Sequence, residues 1–518
     1  MNQKIGYLIS FNLLFIALNL CGQDTHYWTN QFGPRSALLG GAVVGGVRDN
    51  SAVYYNPGAL ALIDTNALSV SATGYQYDIL NIKGGAGEGY DLKSNQTRII
   101  PLIMTGIFKL KKLPRHSFGY AILTKDQTGM KMSARNDSEM KILPDSNCAG
   151  NQDYIGQFNL KSALNEQWFG GAWAYKLNEH ISAGITLFGA LRDQSLEYSF
   201  ISRVSPDDTS FYSLFVSPVI SFSDVQSINY THMRGFAKMG LAFDYKKFKF
   251  GFGITTPGFK IFSSGSIIRD VQYNNLNLDN QNLTSYTVGA VNYANLVVKA
   301  DSFRTNLHSY VINDRQTTDE NNLQVNYKSP TSISAGFEYI FKRSSLSFSM
   351  EWFAEIWDYS LIEPEDREVM RPKKSKFGVS SFDLMHVYGG TLGVTNFAFA
   401  YQYHINSKLT AMSSFRTNWS SSIGENNTRK TGDVGMIVNQ TDWDLYHITL
   451  GAKYKKKKSD VSIGIGYAWS NAVSPQEQLV NLKEPSEEFN LAGDTYDRHA
   501  FVDYKSISLI LGYTYYFK

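Results

Sequence analysis

Strict alternation of side chains is the feature that most constrains this chain. In "SISLILGYTYYF" (506–517), Ile507, Leu509, Leu511, Tyr513, Tyr515 and Phe517 share one face. In "DVSIGIGYAW" (460–469), Val461, Ile463, Ile465, Tyr467 and Trp469 oppose Ser462, Gly464, Gly466 and Ala468. "TSISAGFEYIF" (331–341) and "SLSFSMEW" (345–352) repeat the pattern. A period of two with one apolar and one small or polar face describes strands whose two faces meet different solvents. A soluble sandwich would meet that description by turning the apolar faces inward. Two further features favour a membrane barrel. The segments reach the ten or so residues that cross a bilayer obliquely. Aromatics such as Trp352, Tyr467, Trp469, Tyr513 and Tyr515 gather near strand ends, where interfacial girdles lie.

The connections alternate as well. Short polar turns recur at 110–116, 176–180, 245–249, 341–345, 404–408 and 453–460, and each joins two strand-like runs. Long polar stretches separate them, at 201–230, 261–326, 359–388 and 471–500. Six hairpins, with one strand at 66–78 and another at 503–517, predict an all-β, fourteen-stranded antiparallel transmembrane barrel. An even count puts both chain ends on the short-turn, periplasmic side. Fourteen crossings use only about 150 residues, so the remainder of this 518-residue chain is loops, turns and an N-terminal segment.

That N-terminal part opens on an export signal. Lys4 is a short positive region, "IGYLISFNLLFIALNL" an apolar one, and "CGQD" a cleavage zone, giving residues 1–22 as a cleaved peptide. Acylation of Cys21 is the minority alternative, because Leu20 before it is bulky. Apart from Cys21, Cys148 is the sole cysteine, so no disulfide framework is implied. The net charge of +3 implies no nucleic-acid partner, and the nine histidines show no metal-ligand spacing. No Ser/His/acid cluster stands out, so an enzyme is not expected, nor any cofactor or metal. "GGAGEG" (84–89) is followed by no helix and reads as an outer loop. "EPEDRE" (363–368) reads as an acidic outer loop, solvated or holding divalent ions together with lipopolysaccharide.

The strand faces assigned to the lumen carry mostly Gly, Ala, Ser and Thr, with apolar insertions at Trp168, Phe188, Phe236 and Ile510. A water-filled porin lumen would carry more charge. By alternation Arg234 and Lys238 share that face of the sixth strand with Phe236 between them. Arg192 falls likewise on the fifth, and Arg98 opens the second. A buried carboxylate cargo would need such cations. Ordinary pairing with Asp or Glu would explain them equally well.

The stretch "GPRSALLGGAVVGGVRDNSAVYYNPGALALI" (33–63) closely resembles the N-terminal hatch of the OmpP1/FadL/TodX-type family of outer-membrane transporters for long-chain fatty acids and other hydrophobic compounds. Asn56-Pro57 matches that family's Asn-Pro-Ala motif, with Gly58 in the third place. "GFAKMGLAFDYKKFKFGFGITTP", "SPTSISAGFEYIFKRSSLSFSMEW" and "DLYHITLGAKY" resemble its barrel strands. The resemblance implies a hatch over 23–65 that plugs a barrel spanning 66–518. Gly40, Gly41, Gly45 and Gly46 would let the hatch approach the wall, and Asn56, Pro57 and Gly58 would fix its turn. It further implies passive passage of fatty acids or aromatic compounds through a monomer: from a groove among the outer loops to a lumen pocket, then past the hatch and sideways through a kink in the third strand. The expected third strand is 116–125, with Gly119 its weak point. Relatives recruited as docking partners in protein secretion supply the alternative, which long outer loops suit and a greasy lumen does not.

Overall fold

The computed structural model describes residues 26–142, 150–206, 219–274, 287–288, 291–292, 309–371, 380–422, 443–470, 478–485, 491 and 500–517. Residues 1–25, where the export signal is expected, both cysteines, Lys518 and parts of the long outer stretches lie outside the described residues.

Sixteen strands make the wall. They are β1 (Ala67–Lys83), β2 (Leu92–Phe108), β3 (His116–Met140), β4 (Gln152–Lys176), β5 (Ile181–Pro206), β6 (Ile220–Tyr245), β7 (Phe248–Thr255), β8 (Phe259–Asn274), β9 (Ser309–Thr317), β10 (Ser332–Ile340), β11 (Ser344–Phe353), β12 (Val394–His404), β13 (Leu409–Asn418), β14 (Leu445–Lys455), β15 (Ser459–Ser470) and β16 (Phe501–Tyr516). Fourteen of them close an antiparallel ring: β1 to β7, then β10 to β16. The ring shuts where β16 pairs with β1 from Tyr516–Ala67 to Phe501–Lys83. β8 continues β7 upward after a break at Thr256-Pro257-Gly258 and pairs with the upper half of β6, while β9 pairs with β8.

Alternation sets the faces. In β15, Val461, Ile463, Ile465 and Tyr467 point out and are exposed, while Ser462 and Ala468 point in and are buried. Leu450 and Ile465 are 60% and 61% exposed. Such side chains, repeated around the ring, make an apolar belt that only lipid accommodates. A closed barrel with that belt is the architecture of an outer-membrane protein. No helix among the described residues is long and apolar enough to cross a membrane.

The outer half departs from the sequence reading. β3 and β4 run for 25 residues, β5 and β6 for 26. At about 3.3 Å per residue they rise far above a bilayer that about ten residues cross. The stretch 201–230, expected as loop, is strand at both ends, and 261–326 contains most of β8 and all of β9. The third strand runs to Met140 rather than ending near 125. Above the membrane the outer face of the strands meets water, so the outward positions Ser221, Ser223, Ser227 and Asn229 are polar and carry no apolar signal.

Two apolar clusters fill the interior. The upper one joins Phe200, Phe222 and Ile267 of the wall to Leu361, Ile362, Leu384 and Val387 of the outer connections. Segments 324–325, 356–363 and 387–391 form a small sheet there. Arg269 and Asp224 make a fully buried ion pair within it, at 3.0 Å. The lower cluster joins the wall to the N-terminal segment 26–63, which is buried almost throughout.

The fold predicts a difference between the two faces of one strand. Ile465→Arg, facing lipid, should cost about 2–4 kcal/mol if it sits near the bilayer midplane. This can be measured by denaturant titration in lipid vesicles. Equal stability of the variant and the parent would contradict the assignment of that face.

Candidate functional site

The N-terminal segment is fitted to the wall by hydrogen bonds and by missing side chains. Asn56, fully buried, caps the 3-10 turn Pro57–Leu62: its Oδ1 accepts from Gly58 N at 3.1 Å. Its Nδ2 donates to Val44 O at 3.1 Å and to Leu241 O of β6 at 2.9 Å. One side chain thus satisfies the turn, the segment and the wall together. Pro57 takes the first position of the turn, where its missing N–H costs nothing. The wall opposite is bare. A Cβ on Gly240 would stand 2.2 Å from Asn56 Oδ1, and one on Gly184 2.5 Å from the Pro57 carbonyl group. On the far side Leu38 fills the space above Gly451 and Gly464. Gly40 and Gly41 have positive φ, 57° and 80°, which a side chain would strain. Gly45 lies against the Gly336 backbone and Gly46 against Glu338. Gly58 approaches the Gly240 and Ser182 carbonyls. At the lower edge Arg35 and Arg48 both hold the buried Glu338, at 3.2 and 2.7 Å.

Above this segment lies an aromatic floor. Trp168 stands 4.7 Å from Phe236 and 5.5 Å from Phe188, and Tyr54 of the N-terminal segment is 5.9 Å from Trp168. On the floor sits a charged layer between the two apolar clusters. Glu166 accepts from Arg192 Nη1 at 2.9 Å and from Arg234 Nη2 at 2.6 Å, and Trp168 Nε1 donates to it at 2.6 Å. All three charged side chains are buried. Tyr327, from the connection before β10, lies under both guanidinium groups at 4.3 and 4.7 Å. Lys238 Nζ stands 4.8 Å from the Tyr54 ring and 3.7 Å from Glu351. Lys125 Nζ donates to Tyr27 O at 2.6 Å and lies 5.5 Å from the Trp168 ring. Two donors of the buried Arg234, Nε and Nη1, have no hydrogen-bond partner among the described residues, and neither ring nitrogen of the fully buried His232 has one.

The structure therefore brings Arg192, Arg234, Phe236 and Lys238 together. Arg98 is elsewhere: it pairs with Asp78 and donates to the Gln127 carbonyl across to β3. Gly119 lies in unbroken register between Ile107 and Ala172, facing Val53 and Leu60 of the N-terminal segment. The irregularity of β3 is six residues further on, where Lys125 is an extra residue between Thr124 and Asp126. The β2–β3 ladder ends just below it, at Ile103–Leu123. Higher up the two strands touch through single bonds such as Lys131 N to Ser94 Oγ at 3.0 Å. The counter-ion Glu166 shares its inward face with Trp168, so alternation alone could have found it. Tyr327 and Lys125 carried no such signal, one arriving from a connection and the other through a bulge. Among the described residues no three His, Cys, Asp or Glu could hold a metal.

Comparison with solved structures places this geometry. A Pseudomonas aeruginosa FadL homologue matches 95% of this chain and all of its own, at 14% identity and a TM-score of 0.53. The chain has the fold of the FadL-type channels. The toluene transporters TbuX of Ralstonia pickettii (TM-score 0.52) and TodX of Pseudomonas putida (0.51) each match 94% of it and 99% of themselves, at 11% identity. No protein-family model and no curated protein sequence matches the chain.

The charged layer makes a stability prediction. Glu166→Leu strands two buried guanidinium groups and should cost about 3–5 kcal/mol, because an uncompensated buried charge is expensive. The midpoint of denaturant unfolding reads this directly, and an unchanged midpoint would show that Glu166 does not compensate them.

Proposed function

We propose that this barrel carries hydrophobic molecules across the outer membrane by diffusion, and that single-chain acids such as long-chain fatty acids suit its lumen site best. One observation carries the reading: an aromatic floor beneath a buried arginine, two of whose donors have no hydrogen-bond partner among the described residues. Apolar surface is costly to keep in water, so an apolar compartment through the polar sugar layer lowers the barrier to entry. An acid's tail would lie on Trp168, Phe188 and Phe236, and its carboxylate would meet Arg234, with Lys238 beside it.

The N-terminal segment would then act as a hatch. Tyr54 forms part of the floor, so occupancy above it is felt by the element that closes the lumen below. The lapse of the β2–β3 ladder beside Lys125 is the wall's readiest exit in that region. It lies where the hatch residues Tyr27 and Asn30 bond to Lys125. The structural neighbours include a FadL homologue and two toluene transporters, and toluene is an apolar cargo. A docking role in protein secretion is the second reading, supported by the height to which β3–β6 rise above the bilayer.

The test is uptake of radiolabelled palmitate by cells lacking their own transporter and carrying this chain. Converting Arg234 and Lys238 together to Ala should lower palmitate affinity about tenfold or more, the value of one charge-assisted hydrogen bond. Unchanged affinity would remove the acid assignment. Absence of uptake by the parent would leave the docking role.

A further inference from the structure

The wall has a second discontinuity, on the opposite flank of the aromatic floor. The β7–β10 ladder ends at Thr255–Ser332, and the β8–β9 ladder begins only at Ser266–Thr317. Between them Phe259–Gly265 of β8 has no ladder partner on that side among the described residues. Side-chain bonds rather than a ladder bridge the interval. Gly258 N donates to Ser329 Oγ at 3.1 Å, Lys260 Nζ to Asn326 Oδ1 at 2.8 Å and Val325 O at 3.3 Å, and Gly265 N to Thr318 Oγ1 at 2.8 Å, while Thr318 Oγ1 also donates to Gly265 O at 3.4 Å.

This interval lies within the lipid-facing belt. Phe252 and Ile254 below it, Ile333 beside it and Phe259, Ile261 and Phe262 along it are all exposed, apolar and outward. An open sheet edge at that depth is tolerated only where it borders a polar cavity or is covered, because hydrocarbon satisfies no backbone group. Behind the edge there is indeed a polar site. The register places Lys260 opposite the inward Arg234, yet Lys260 is exposed. Arg234 is 2% exposed, and its Cδ would lie 2.8 Å from a Cβ on Gly258, so its stem passes directly behind the break. Its Nε and Nη1, without hydrogen-bond partners among the described residues, lie on the same inner face as His232, whose ring meets Tyr327 edge-on at 5.9 Å.

Outside, the edge adjoins an apolar groove of about 500 Å³ that runs across β3–β6 to β8. The groove exists because outward glycines leave the wall low. Gly171 has open space above it, and Phe169 and Phe259 lie flat over Gly189 and Gly235. Leu187, Met233 and Ile261 complete its lining.

The geometry points to a lateral port at the β7–β8 break. It admits a single-chain anionic amphiphile from the membrane, with the head drawn to Lys260 and Arg234 and the tail lying in the outer groove. This port is separate from the β2–β3 lapse, and it rests on the proposed function only for the direction of traffic. A neutral lipid would gain the groove and nothing from the two cations. A divalent cation is disfavoured because both flanking side chains are positive.

Photolabelling of the full chain in nanodiscs tests this without requiring transport. The probes are palmitate bearing a chain diazirine and the matching hexadecanol. The palmitate probe should label Phe259–Phe262 and Ser329 well above the control stretch Ile463–Ile465 on β15. Arg234→Gln and, separately, Lys260→Gln should each lower that labelling, by about tenfold for the buried arginine. The exposed Lys260 keeps the test open if Arg234→Gln fails to fold. Even labelling of both stretches would overturn the port, whatever the uptake assay gives. Equal labelling by the alcohol, or no effect of either substitution, would overturn the anionic head.

Discussion

A ring of fourteen strands encloses more space than its own inward side chains can fill. The wall makes this worse, because its inner faces are built from Gly, Ala, Ser and Thr. Everything else follows from how that volume is occupied. From below, residues 26–63 enter and are locked by Asn56 and by wall glycines that leave room for backbone. From above, the outer connections fold inward onto Phe200, Phe222 and Ile267. Between the two packed regions the aromatic floor and its charged layer remain.

The charged layer is expensive to bury, and its arrangement is informative for that reason. One carboxylate, Glu166, serves two guanidinium groups, and Tyr327 shields both. A purely structural triad would be expected to use all its donors, since an unmade bond at such a site costs more than a made one returns. Among the described residues Arg234 leaves two donors without a hydrogen-bond partner, beside a histidine neither of whose ring nitrogens is hydrogen-bonded. That residue also stands directly behind the break between β7 and β8. Binding chemistry and wall geometry therefore meet at one side chain.

Much of this was legible in the sequence. Alternation assigned Arg192, Arg234, Phe236 and Lys238 to the lumen because lipid outside enforces a strict period of two. The short turns gave the strand count for the same reason. Legibility ended where lipid ended: β5 and β6 continue above the bilayer with Ser and Asn outward, so 201–230 resembled a loop. It also failed where a side chain reaches the site by an irregular route. Lys125 arrives through a bulge, Tyr327 from a connection, and Arg98 obeys the alternation yet is claimed by Asp78. The motif around Asn56-Pro57 signalled a turn, whereas the matching vacancies at Gly184 and Gly240 become visible only when strands distant in sequence are brought beside it.

The central claim is that the lumen layer holds the head of an acidic amphiphile. Native mass spectrometry of the barrel released from its own membrane, repeated in chemically different detergents, tests it most directly. The account predicts an adduct with the mass of an acidic single-chain amphiphile that persists across detergents and is lost when Arg234 becomes Gln. A barrel of bare mass in every detergent, or an adduct indifferent to Arg234, would contradict it.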